Sequence, residues 1–189
     1  MTNKMILFKL KRALKNFYKK EILLVEYKVA ERALTHKLAE YLQKLFHDYD
    51  VDCEYNKVGN GDPKRIVLLM AAQQDCPKDC NKCAANKCVV FPDIIVHKRG
   101  RNENILVIEA KTAWSGQAQV NDYKKLQALI DSGEYRYQFG VAFRFSGNFE
   151  ETIKTFKLFF GKKANENLEN EIKKNLKAIG FEVAEENLK

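Results

Sequence analysis

The sequence has no long hydrophobic run. Crossing a bilayer takes ~18 or more consecutive apolar residues, and nothing in these 189 residues comes close. The first twenty residues are basic, and their longest apolar stretch is Met5-Ile6-Leu7-Phe8, ended by Lys9. That is too short for the apolar region of a secretory signal, and the Ser and Arg enrichment of an organelle transit peptide is missing too. The expectation is a cytoplasmic protein without membrane insertion. There is no internal repeat and no low-complexity linker, which argues against a repeat array or domains on a flexible tether. Acidic residues are absent from positions 1–20, which hold Lys4, Lys9, Lys11, Arg12, Lys15, Lys19 and Lys20. Of the net charge of +8, the other 169 residues therefore carry only +1.

What is present reads as one soluble domain with appendages. Apolar residues make up 46% and charged residues 31% of the chain, a globular rather than a disordered balance. Three parts are expected. Residues 1–20 form a basic helical arm, suited to phosphates or an anionic surface or else a solvated helix face. Residues 21–148 form the core, with a Cys-rich insert at 75–88, and residues 149–189 form a helical extension packed on it.

Leu7, Leu10, Leu14 and Phe17 recur a turn apart and predict a helix over 4–19. Leu34, Leu38, Tyr41, Leu42 and Leu45 place one face of a second helix, over 21–47, against a core. Strands are expected at 50–57 and 65–70, around a break at Asn60-Gly61-Asp62-Pro63. A hairpin follows, with strands at 89–97 and 105–110 around a turn containing Gly100. Both of its strands are nearly continuous in apolar residues, as strands covered on both faces are. A helix at 117–131, a strand at 137–145, helices at 149–160 and 165–179 and a short strand at 181–184 complete the reading. This order predicts an α/β sandwich around a mixed sheet flanked by helices.

Within it, Asp93 follows Pro92 at the head of one strand, and Glu109-Ala110-Lys111 closes the next. Side chains two apart on a strand share a face, so Glu109 and Lys111 project together and Ala110 points away. Asp93 and Glu109, with the Ala110 carbonyl, make a hard, incomplete oxygen shell of the kind magnesium favours. Such an ion polarises a phosphoryl group and activates water, while Lys111 steadies developing negative charge. The short motif carries little alone, since roughly three acid-x-Lys matches arise by chance in such a chain. The plain alternative is that Glu109 and Lys111 are edge charges leaving a buried strand. Its context, at the end of Ile105-Leu106-Val107-Ile108, is what raises it.

The run Phe91-Pro92-Asp93-Ile94-Ile95-Val96-His97, followed by Ile105-Leu106-Val107-Ile108-Glu109-Ala110-Lys111, resembles the signature of the PD-(D/E)xK, or restriction-endonuclease-like, nucleases. Residues 31–42 resemble the first core helix of a group of small bacterial proteins with that signature. Residues 122–126 and 137–143 resemble the helix and strand that follow. The resemblance covers about 29–145 and implies an α-β-β-β-α-β core and Mg²⁺- or Mn²⁺-dependent phosphodiester hydrolysis of nucleic acid, DNA first. It also implies a metal role for Glu31 beside Asp93 and Glu109, with Lys111 completing the catalytic set. On its own, Glu31 reads equally as a local cap or ion pair. His36, about 140° further round the helix, stays outside the set. Gln117 either orients a water or phosphate or is simply a polar neighbour of a helix start. A homodimer is expected by analogy with double-strand cutters. The alternative function is a non-catalytic nucleic-acid-binding module on the same fold. A partner-binding protein with mere surface ion pairs is the third.

The Cys-rich insert and the basic arm depart from that group. Cys76, Cys80, Cys83 and Cys88 fall within thirteen residues. Reduced thiols this close suit a soft metal. Four of them close a tetrahedral zinc shell, and an iron–sulfur cluster is the alternative. A metal there folds a loop that has no core of its own and pins the approach to Asp93. Cys53 stands apart as a small buried hydrophobe.

Overall fold

A computed structural model describes residues 1–58, 61–67, 87–116, 119–161 and 174. The chain opens with α1 (Asn3–Glu26) and α2 (Glu31–Gln43). Five strands then build the main sheet: β1 (Asp50–Cys53), β4 (Ile94–Lys98), β5 (Glu103–Thr112), β6 (Phe139–Phe145) and β7 (Lys157–Phe159), side by side in that order. A separate hairpin pairs β2 (Arg65–Val67) with β3 (Lys87–Val89). α3 (Val120–Asp131) joins β5 to β6, and α4 (Phe149–Lys154) precedes β7. The sheet is mixed: β5 and β6 run parallel, and every other neighbouring pair is antiparallel. Only a parallel pair requires a long crossover, and α3 supplies it. Among the described residues no helix is long and apolar enough to cross a membrane.

The apolar runs in β4 and β5 have cover on both faces. Ile94, Val96, Leu106, Ile108 and Ala110 join Val141 and Phe143 against α1, α2 and α4. Ile95, Val107 and Ala142 face the other way, against Leu126, Leu129 and Ile130 of α3 and against Tyr135 and Tyr137. α3 approaches the sheet closely at Gly140. A methyl group there would stand 2.8 Å from Ile130 Cδ1 and 3.3 Å from both Leu126 Cδ2 and Val107 Cγ1. Gly140→Ala is therefore expected to destabilise by about 1 kcal/mol, the low end of overpacking because Ile130 can turn its tip aside. A fall in the urea midpoint at unchanged slope is the check.

Four sequence expectations change. Residues 1–20 are not an appended arm. Ile6, Leu7, Leu10, Leu14 and Phe17 are fully or almost fully buried in the core, while Lys4, Arg12, Lys15, Lys19 and Lys20 face solvent. The apolar stripe of this helix is wide enough to pack, and packing decides where it goes. Next, the helix expected over 21–47 is divided. α1 continues to Glu26 through non-helical dihedrals at Glu21. It ends with Lys28 left-handed at φ 49° and the Val29 amide donating to the Leu24 carbonyl at 3.1 Å, a Schellman stop with lysine in the place glycine usually takes. The strand expected over 89–97 is split at Pro92-Asp93 into β3 and β4, which lie in different sheets. Finally, the helix expected over 149–160 stops after Lys154, and Lys157–Phe159 pairs with β6 as an edge strand. Apart from residue 174, the expected helix at 165–179 lies outside the described residues, as do the strand at 181–184, residues 68–70, Gln117, Cys76, Cys80 and Cys83. Cys88 stands in β3.

Candidate active site

The site forms where β4 begins and β5 ends. Ile94 pairs with Ile108 in the antiparallel ladder, so one step further Asp93 stands opposite Glu109. Residues opposite each other in such a ladder point to the same face. Asp93 Oδ2 accepts from the Ala110 amide at 2.7 Å, which fixes the carboxylate across the strand end. Ala110 itself packs into the core on the opposite face, leaving Glu109 and Lys111 on the face that α3 covers.

Two helix starts complete the cluster. Glu31 opens α2, where the helix N-terminus favours negative charge, and its Oε1 accepts from Lys111 Nζ at 2.9 Å. From the first turns of α3, Asp122 Oδ2 comes to 3.7 Å from Lys111 Nζ, and Lys125 Nζ lies 2.7 Å from Glu109 Oε2. Asp122 Oδ1 and Lys125 Nζ are themselves 3.8 Å apart. Glu31, Asp93, Glu109 and Lys111 thus stand in one electrostatic network, joined by Asp122 and Lys125. His36 is exposed on α2, its Nε2 3.5 Å from Glu40.

Asp122 and Lys125 were missed in the sequence, where they pass for surface charges. Their signal is positional. With Leu126 and Leu129 they occupy spacings of three, four and seven, so two charged residues stand on the stripe a helix buries.

The burial is severe. Glu109 is 0% exposed. Among the described residues its Oε1 has no hydrogen-bond partner, and Oε2 has only the Lys125 ion pair. Burial, with Asp93 alongside, pushes the Glu109 carboxyl well above its ordinary range. Asp93 is also raised, by burial, against the pull of the Ala110 amide and of Lys125 and Lys111. Burial alone would lower Lys111, but the Glu31 hydrogen bond with the charges of Asp122 and Asp93 outweighs it and lifts its pKa above the usual lysine value. Lys125 is raised in the same way, Glu109 outweighing its burial.

No protein-family model, curated protein or solved structure matches the chain.

Four carboxylates (Glu31, Asp93, Glu109, Asp122) face two ammonium groups (Lys111, Lys125), a formal charge of −2 in a largely buried space. Like charges held this close in a low-dielectric site repel strongly. Among the described residues no three His, Cys, Asp or Glu side chains are drawn together as a ready-made metal site, and the lysines take up Glu31 and one oxygen of Glu109. The donors nevertheless suit a hard divalent cation: all are oxygens, they are in excess of local positive charge, and Glu109 Oε1 is buried with nothing to bond.

Proposed function

We propose that this cluster is the site of a Mg²⁺- or Mn²⁺-dependent nuclease of the restriction-endonuclease-like type, acting on DNA. The observation that carries the reading is the fully buried Glu109, with one unpartnered oxygen, in a cluster two charges short of neutrality. The element order supports it. α2, β1, β4, β5, α3 and β6 follow as helix, three antiparallel strands, crossover helix and parallel strand, the core the PD-(D/E)xK resemblance implies.

Asp93 and Glu109, with Glu31, are the residues that would hold the ion. A bound divalent ion supplies a Lewis acid for the phosphoryl oxygen and a lowered pKa for water. The chain's own residues do the rest. Lys111, with its pKa raised, keeps its proton at neutral pH and so acts as a donor to phosphate oxygens rather than as a base. Asp122 keeps Lys111 on the cluster side, and Lys125 does the same for the Glu109 carboxylate. Cutting both strands of a duplex would call on a second copy of the chain, and a zinc ion on the four cysteines would brace the insert ahead of β4.

A purified sample is expected to nick supercoiled plasmid with Mg²⁺ or Mn²⁺ and not with EDTA. Lys111→Ala should lower the rate by ~10²-fold or more, the scale of losing one preorganised charge stabiliser, while the folded-state circular dichroism stays unchanged. Full activity in that variant removes the proposed site. Cleavage of RNA alone moves the substrate and keeps the site. The exposed basic side chains of α1 favour the second reading, a binding module without cleavage. That reading predicts salt-dependent DNA binding that persists in EDTA, with no cut product.

A further inference from the structure

A second concentration of chemistry lies at the far end of β4, about 13 Å along the strand from Asp93 at ~3.3 Å per residue. A small cleft is lined by Tyr55, Lys57, Lys64, His97, Arg101 and Asn104 among others. Lys64 is its anomaly. The residue is 1% exposed, and its ammonium has no hydrogen-bond partner among the described residues. Aromatic faces flank it, the Tyr55 ring centroid at 4.9 Å from Nζ and that of Tyr137 at 5.9 Å. The backbone cannot release it easily, because the Lys64 amide donates to the Asn56 carbonyl and its carbonyl accepts from Val90 at 3.1 Å.

The nearest acid is already engaged. Asp52 Oδ2 is 2.8 Å from His97 Nε2 and accepts from Arg99 Nε at 2.8 Å. It only partly offsets the burial that brings Lys64 down to about 8. Tyr137 adds a second buried group without a partner among the described residues, its hydroxyl. The cleft lining contains Lys57, Lys64 and Arg101 and no carboxylate. An unpaired buried ammonium is costly, and few lysines are fully buried without a counter-charge. An anion entering at the cleft mouth, where the exposed Lys57 and Arg101 attract it, supplies that charge.

We propose that this cleft binds a phosphate-sized oxyanion, held by the buried ammonium of Lys64 and guided by Lys57 and Arg101. The group has two sources, free phosphate and the phosphodiester of a nucleic-acid backbone. The proposal does not rest on the hydrolytic reading and survives its failure.

The test is thermal unfolding of the full chain, with inorganic phosphate in one arm and a short DNA duplex in the other, at constant ionic strength. Phosphate at ten times its Kd should raise the Tm by about 3 °C or more. Lys64→Met, which fills the same space without charge, should abolish the phosphate shift and should itself unfold at a higher temperature than the parent without ligand. A Lys64-dependent shift with DNA but none with phosphate assigns the site to a backbone phosphate, and one with phosphate assigns it to the free ion. The paired variant Lys57→Ala/Arg101→Ala, changed only at exposed positions, should weaken the response several-fold. It decides the matter if Lys64→Met does not fold. No shift with either probe, a shift that Lys64→Met retains, or an unchanged response in the paired variant overturns the proposal.

Discussion

Glu109→Gln is expected to abolish metal-dependent cleavage and, in the absence of metal, to make the protein harder to unfold. The two effects come from one cause. Glu109 brings a fully buried negative charge to a cluster that already holds more carboxylates than ammonium groups. Gln keeps the shape and an oxygen that can accept from Lys125, and it removes the repulsion with Asp93 named above. A carboxyl whose pKa is raised on folding destabilises the folded state at any pH above its unfolded value, and burial with Asp93 raises Glu109 well above its ordinary range despite the Lys125 pair. Here one carboxylate oxygen has no partner among the described residues, so a gain on the order of 1 kcal/mol, the equivalent of one pKa unit, is expected, read as a higher urea midpoint. Activity should fall by ~10²-fold at least, since even loss of an outer partner of a metal ligand costs 10- to 100-fold. The same variant should lose the rise in Tm that Mn²⁺ gives the parent by binding the folded state. A variant that is less stable and still cuts would show that Glu109 is a structural partner of Lys125 and nothing more.

How much of this was legible in the sequence depends on how local the signal is. The period-two and apolar-run signals marked β4, β5 and β6 because each of these strands packs on both faces and needs apolar residues throughout. The alternation argument separated Glu109 and Lys111 from Ala110, and the two faces of β5 are divided in that way. Glu31 was placed by resemblance, not by its spacing. Its closeness to Lys111, 80 positions later, is a tertiary fact that no window of sequence contains. Asp122 and Lys125 were invisible for the same reason. An acid and a lysine three apart on a helix read as a surface pair until the sheet beneath them is known. The Lys64 cleft was wholly missed, because a single lysine after the Gly61-Asp62-Pro63 break looks like any solvated charge. The split at Pro92-Asp93 was missed too. There the chain passes from one sheet to the other, while its β-rich composition continues without a break. Most instructive is α1. Its basic residues dominate the local composition, whereas the stripe of Leu7, Leu10, Leu14 and Phe17 between them is what the core buries.

Phe17 is 0% exposed, its ring centroid 5.3 Å from those of both Tyr18 and Phe145. Tyr18 in turn donates to the Ser146 carbonyl at 3.0 Å and meets Thr152 Oγ1, tying α1 to the end of β6 and to α4. Phe17→Ala should therefore cost about 3–5 kcal/mol, the transfer of a ring plus the cavity it leaves, against a total stability of ~5–15 kcal/mol for a domain. Lys15→Ala, two residues away and exposed, should change stability by no more than about 0.5 kcal/mol. An arm that merely reached for phosphates would behave the other way: Phe17 would be nearly silent, and Lys15 would alter DNA affinity alone. Urea midpoints of the two variants, measured side by side, separate the cases. A loss confined to Phe17→Ala places α1 in the cooperative unit that also positions the start of α2, where Glu31 meets Lys111. Removal of residues 1–20 should then unfold the domain rather than simply weaken its grip on nucleic acid, because the exposed Lys4, Arg12, Lys15, Lys19 and Lys20 ride on the same helix whose other face closes the core.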